Sequence, residues 1–168
     1  VNVFSQTTDW VKSFGGTASD KGISIGTDSL GFIYISGYYN NEATFGSITL
    51  SNSNISGNNK ENFIAKLDSS GNVLWAIPGG NQEYNCCDDR ALGMHVTPGG
   101  DVFITGTYWG SYKLGVDGAA GTITATGGNN HDTSVMGKVD KDGNPQWVIS
   151  FGVNNTSGGC PPPIYDAD

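Results

Sequence analysis

Asp140-Lys-Asp-Gly-Asn144 is spaced like a cation-binding loop, with side-chain oxygens at alternate positions, as in the first half of an EF-hand. Its counterpart Asp68-Ser-Ser-Gly-Asn72 has no middle carboxylate, and neither stretch has Glu at the twelfth position. A hairpin turn accounts for both, because Asp-Gly and Gly-Asn favour tight turns. Asp88 and Asp89, with Asp166 and Asp168, leave room for loosely held Ca²⁺ between loops, but no defined metal site or cofactor is expected. His95 and His131 stand in different contexts without Cys or carboxylate partners. No Ser/His/Asp set, phosphate-binding glycine loop or paired catalytic carboxylates emerge, so the expectation is a protein that is not an enzyme.

The aromatic residues divide into two groups. Trp10, Trp75 and Trp147 recur at matching positions; such recurrence points to packing between repeats, since Trp buries a large area. Trp109 does not recur. Together with Tyr108, and with Tyr38 and Tyr39 in the earlier copy, it stands at a strand end where a rim of aromatics holds a glycan or a protein partner, or simply packs.

The three cysteines, Cys86, Cys87 and Cys160, have no zinc spacing. Cys87 lies nine residues after Pro78 and Cys160 nine after Phe151. That spacing makes the two repeat-equivalent, so Cys160 is expected to bond Cys87 or Cys86, stapling one repeat to the next and leaving one thiol over. A vicinal Cys86–Cys87 bridge is the alternative, and either implies an oxidising compartment.

The elements that carry these residues are short strands. In 168 residues there are 26 glycines and only 14% charged side chains, with Ser, Thr and Asn abundant, the profile of many strands joined by tight turns. A net charge of −8 with eight scattered basic residues argues against nucleic acid. No apolar run reaches the length of a membrane span. The chain starts at Val1, which reads as a mature, processed or fragmentary product.

Strands are expected at Gly22–Asp28, Gly31–Tyr39, Ser47–Leu50, Asn62–Asp68 and Asn72–Ile77. Both faces of Gly31–Tyr39 are apolar, which implies burial on both sides. The pattern then repeats: Asp89-Arg-Ala-Leu-Gly-Met matches Asp20-Lys-Gly-Ile-Ser-Ile, Gly100–Gly106 matches Gly31–Gly37, and Lys138–Gly152 matches Lys66–Gly80. The offset is 69 residues early in the unit and 72 at Lys66/Lys138. A single repeat region, 1–168, therefore divides into a lead-in (1–9), repeat 1 (10–74), repeat 2 (75–146) and the start of a third (147–168). Four strands per unit that cannot bury both faces alone must stack on neighbours. The expected fold is all-β: about two four-stranded β-propeller blades plus the start of a third, part of a larger or oligomeric propeller.

The series W-x3-F-G-G, D-x-[GA]-[IL], G-x-[IV]-[YF]-I-[ST]-G and F-[IV]-A-K-L-D-x-x-G-x-x-x-W covers nearly all of Trp10–Phe151 and resembles the SBBP-type β-propeller repeat of secreted and surface-attached bacterial proteins. The resemblance implies a secreted or outer-surface location, no catalytic residues, and a structural role in adhesion or in an extracellular fibre or matrix; a carbohydrate-binding propeller is the alternative. Its departures are Pro78, taken to stand where Phe14 and Phe151 do, and the Cys86-Cys87 insertion. The implied partners are further copies or segments that complete the propeller, or glycans.

Overall fold

The computed structural model describes residues 9–52, 60–80, 90–108, 111–116, 122–126 and 133–151. Among them are twelve strands and no helix. A first unit of four antiparallel strands, β1 (Lys21–Thr27), β2 (Ile33–Asn40), β5 (Lys60–Leu67) and β6 (Val73–Gly80) in that spatial order, forms one six-stranded sheet with β9 (Ser111–Leu114) and β10 (Ile123–Thr126), which follow β6. The second repeats it with β7 (Arg90–Val96), β8 (Val102–Tyr108), β11 (Thr133–Val139) and β12 (Pro145–Phe151). Between the second and third strands of each unit lies a hairpin, β3 (Glu42–Phe45) with β4 (Ile48–Ser51), and β9 (Ser111–Leu114) with β10 (Ile123–Thr126).

The turns within each sheet are built alike. Asp28, Asp68 and Asp140 each accept backbone N–H groups two and four residues on, at 2.9–3.0 Å. Gly31, Gly71 and Gly143 follow three residues later with φ of 82°, 78° and 89°. This is an Asx-type turn whose fourth residue must be left-handed, where Gly has no steric cost. Thr97 replaces the Asp in the fourth such turn, its hydroxyl accepting from Asp101 N–H at 3.0 Å. The carboxylates at Asp68 and Asp140 are thus occupied by their own turn.

Register irregularities repeat as well. Bulges fall between Gly22 and Ser24 and between Ala91 and Gly93, and again between Lys66 and Leu67 and between Lys138 and Val139. Each pair is one repeat offset apart, so both sheets bend at the same places.

Two apolar clusters lie on opposite faces of the first sheet. One joins Tyr34 and Ile64 to Val102, Ile104, Val135, Val139 and Leu114 of the second unit. The other joins Tyr39, Phe63, Ala65 and Ala76 to Ala43, Phe45 and Leu50 of the hairpin, with Phe14 against it. Burial on both faces of β2 is the outcome its two-sided apolar pattern predicts, and β5 is buried on both faces as well. The expectation of an all-β chain is met by several antiparallel sheets, none of them closed.

The phase of the repeat differs between sequence and space. Trp75 opens the second sequence repeat yet lies in β6, the fourth strand of the first sheet. Strands β3, β9 and β10 were not expected from the sequence.

Candidate functional site: the junction between units

The recurring Trp residues act as hooks from one unit to the turn of the next. Trp75, in β6, donates its indole N–H to the Lys141 carbonyl at 3.1 Å. Its ring lies against Gly143, where a Cβ would come within 2.9 Å of the indole. Trp10 makes the same contact one unit earlier: its N–H donates to the Ser69 carbonyl at 2.9 Å, and a Cβ on Gly71 would lie 3.0 Å from its ring. Ser69 and Lys141 occupy the same position of the repeat. The turn glycine therefore serves twice, adopting the left-handed conformation and leaving its face open for an indole.

Lys66 strengthens the hook. It is buried, its ammonium donates to the same Lys141 carbonyl at 2.9 Å, and it lies over the Phe32 and Tyr34 rings at 4.3 and 5.1 Å. Cation–π contact and a charged hydrogen bond together compensate for the desolvated ammonium. In the second unit Lys138 stands at this position, pairs with Asp101 at 2.7 Å and lies 5.7 Å over Phe103. Asp101 occupies the repeat position of Phe32, so a carboxylate there replaces a ring.

Two further contacts complete the junction. The hydroxyl and the N–H of Ser29 both donate to the Pro98 carbonyl, at 2.7 and 3.1 Å, joining matching turns of the two units. At the outer edge the second unit's hairpin pairs with β6 through Gly79↔Leu114 and Gly80↔Lys113. The bridge Gly15↔Thr44 is the same pairing one unit earlier. This register makes Gly15 the counterpart of Gly80 and Phe14 that of Gly79, not of Pro78. The reason is volume: Gly79 faces Tyr112, whereas Phe14 packs on the cluster that holds Ala43, the counterpart of Tyr112, and stacks on Phe45 at 5.8 Å. Large and small residues have exchanged sides of the contact. With Gly79 as the counterpart of Phe151, the equivalence that aligned Cys87 with Cys160 shifts by one residue.

Of the four aromatics proposed to bind a ligand, Tyr39 and Tyr108 are each 0% exposed. Tyr39 belongs to the hairpin cluster and Tyr108 meets Tyr112 edge-on at 5.5 Å, so neither offers a face to a glycan. Their burial follows from the pleat, which turns both toward the preceding side of their sheets. Tyr38 points the other way, half-buried, with Lys60 5.2 Å over its ring. Trp109 and the cysteines Cys86, Cys87 and Cys160 lie outside the described residues, as do His131, Asp88, Asp89, Asp166 and Asp168.

Titration at the junction follows from these contacts. Burial, then the hydrogen bond to Asp28 at 3.1 Å, pushes the Tyr34 hydroxyl well above its ordinary range. The Asn72 side chain and the N–H groups of its turn hold Asp68 below the ordinary carboxylate value. At Asp140 partial burial opposes this, but the bonds from Asn144 and Asp142 prevail and its value is also lowered.

What sequence reasoning missed is the receiving half of the junction: Gly71, Gly143, Lys66 and Lys138. The recurrence of Lys-x-Asp-x-x-Gly upstream of Trp carries that signal. No protein-family model matches the chain, and no curated protein matches it.

Proposed function

We propose that the chain is a run of β-propeller blades of the SBBP type, serving as a non-enzymatic structural module at the outer surface or in the extracellular matrix of a bacterium. Each four-stranded unit is then a blade, and the Trp hook is the joint between blades. The observation that carries this reading is the repetition of the joint itself: Trp10 on Ser69 and Gly71, then Trp75 on Lys141 and Gly143. Residues spent on joining units, at the positions where the sequence repeats most faithfully, suit a protein whose task is to extend or close a scaffold. The acidic, Asn- and Ser-rich composition suits an external setting.

The test is to follow the protein in the cells that make it, by fractionation and by protease shaving of intact cells. The reading expects it in the medium or protease-accessible at the surface, with loss of adhesion or matrix when it is deleted. Recovery wholly from the cytoplasm would overturn it.

A further inference from the structure

Among the described residues, the two outer faces of the stack repeat the two halves of its internal junction. On the trailing face, Phe103, Met136, Trp147 and Ile149 occupy the repeat positions of Tyr34, Ile64, Trp75 and Ile77. Those four pack into the cluster between the units, whereas Met136 and Ile149 are 36% and 45% exposed. Even the ring geometry is kept, with Phe103 and Trp147 6.0 Å apart and Tyr34 and Trp75 6.1 Å apart. On the leading face, Ile25 is 72% exposed, while its counterpart Met94 packs into the junction. Each open face thus displays the residue types that the other is built to cover, a self-complementary but heterologous pair.

Part of the leading face is already taken. Trp10–Gly16 lies where the fourth strand of a preceding unit would lie, hooked on Ser69 and bridged at Gly15↔Thr44. Its sequence, Trp-Val-Lys-Ser-Phe-Gly, differs from Trp147–Gly152, Trp-Val-Ile-Ser-Phe-Gly, only at the third residue. The two segments present nearly the same side chains to the same slot. They are not held equally, because β12 is paired with β11 from Ser134↔Phe151 to Val139↔Pro145. Among the described residues the N-terminal segment has one bridge, one indole bond, the Phe14 stack on Phe45 and the bond from Gly16 N–H to Asp20, less than the continuous ladder of β12, so it is the one that yields.

We infer that the trailing face binds the leading face of a second copy of this chain, with Trp147 of one copy displacing Trp10 of the other from the Ser69–Gly71 slot. The N-terminal segment is a plug that occupies in cis the place β12 fills in trans. Ile149, where Lys12 stands in the plug, adds apolar contact to the incoming strand. Head-to-tail joining closes a ring where the rotation per unit allows it, and continues as a fibre where it does not. This inference rests on reading the chain as an assembly module and names the surface by which it assembles.

The test is sedimentation of the full chain over a concentration series, with Trp10→Ala, Trp147→Ala and the double variant, each checked for retained β structure by circular dichroism. Releasing the plug removes the competing bound state, so Trp10→Ala is expected to tighten self-association roughly tenfold. Trp147→Ala on that background abolishes it. A photo-crosslinker at position 149 of the otherwise unaltered chain, in a mixture of isotopically light and heavy protein, reads the contact without relying on either Trp variant. Mixed-isotope crosslinks to residues 69–71 support the interface. Crosslinks confined to one chain, as when residues after Phe151 cover the face, overturn it, as does a monomer in every variant or association indifferent to Trp147. Those results leave a surface-exposed module standing, since its location is read separately in cells.

Discussion

A Cβ on Gly79 would lie 2.5 Å from the hydroxyl oxygen of the fully buried Tyr112, whereas the matching pair one unit earlier is Phe14 and Ala43. The junction thus keeps its volume by trading size across the contact. Gly79→Ala therefore overpacks the first apolar cluster and is expected to cost about 1–3 kcal/mol. Urea unfolding checks it, and Gly79→Ala combined with Tyr112→Phe, which removes the clashing oxygen, recovers much of the loss.

Trp75 contributes a ring in the core cluster and a hydrogen bond across the junction. Trp75→Phe keeps most of the ring and loses the donor, for an expected cost of about 1 kcal/mol. Trp75→Ala also leaves a cavity beside Gly143 and costs about 3 kcal/mol. Hydrogen exchange distinguishes loss of the joint from loss of a sheet: protection falls first in the turn 140–144.

Lys66 and Lys138 hold one repeat position in different surroundings. Lys66 is 6% exposed and donates to a carbonyl, while in the ion pair of Lys138 with Asp101 the two side chains are 26% and 37% exposed. Lys138→Met is expected to change stability by less than about 1 kcal/mol, as for surface ion pairs. Lys66→Ala removes buried stem as well as charge and is expected to cost about 2–4 kcal/mol. Equal effects in thermal melts would contradict the assignment of the two environments.

Acid should loosen the turns that receive the hooks. Asp68 and Asp140 lie below the ordinary value of 3.8 in the folded chain. A depressed folded-state value gives stability that is present above the unfolded-state value and is lost as pH falls through the folded one. The melting temperature is thus expected to drop below about pH 4. The Asp68→Asn/Asp140→Asn chain should lose less on acidification, because amides cannot be protonated there. A double variant as acid-sensitive as the parent would place the effect elsewhere.

The sequence made the sheet strands legible because period-2 alternation and repetition agree. Gly22–Asp28 became Lys21–Thr27, and Asn62–Asp68 became Lys60–Leu67. The turn at Asp140 was readable for the same reason, since it and its copy at Asp68 carry Asp, Gly and Asn at the same three places. Of the hairpins only β4 was, as Ser47–Leu50; β3, β9 and β10 were not, because they are four residues long and pair chiefly with a local partner. Tyr39 and Tyr108 resembled a rim because chain position shows a strand end and not the side its residue faces. The role inferred for Trp10–Gly16 was hidden for another reason: among the described residues the segment forms a single bridge, and it matters by lying where the fourth strand of a preceding unit would lie.

The offset between the sequence repeat and the sheet has a genetic consequence. Each sequence unit begins with the hook of one sheet and contains the turn that receives the hook before it. An unequal crossover between units therefore delivers a whole joint, donor and acceptor already matched, to a lengthened or shortened array. The size exchange travels with the unit as well, since Phe14 and Ala43 fall in one sequence unit and Gly79 and Tyr112 in the next. Copy number can therefore change without setting Phe against Tyr or Gly against Ala.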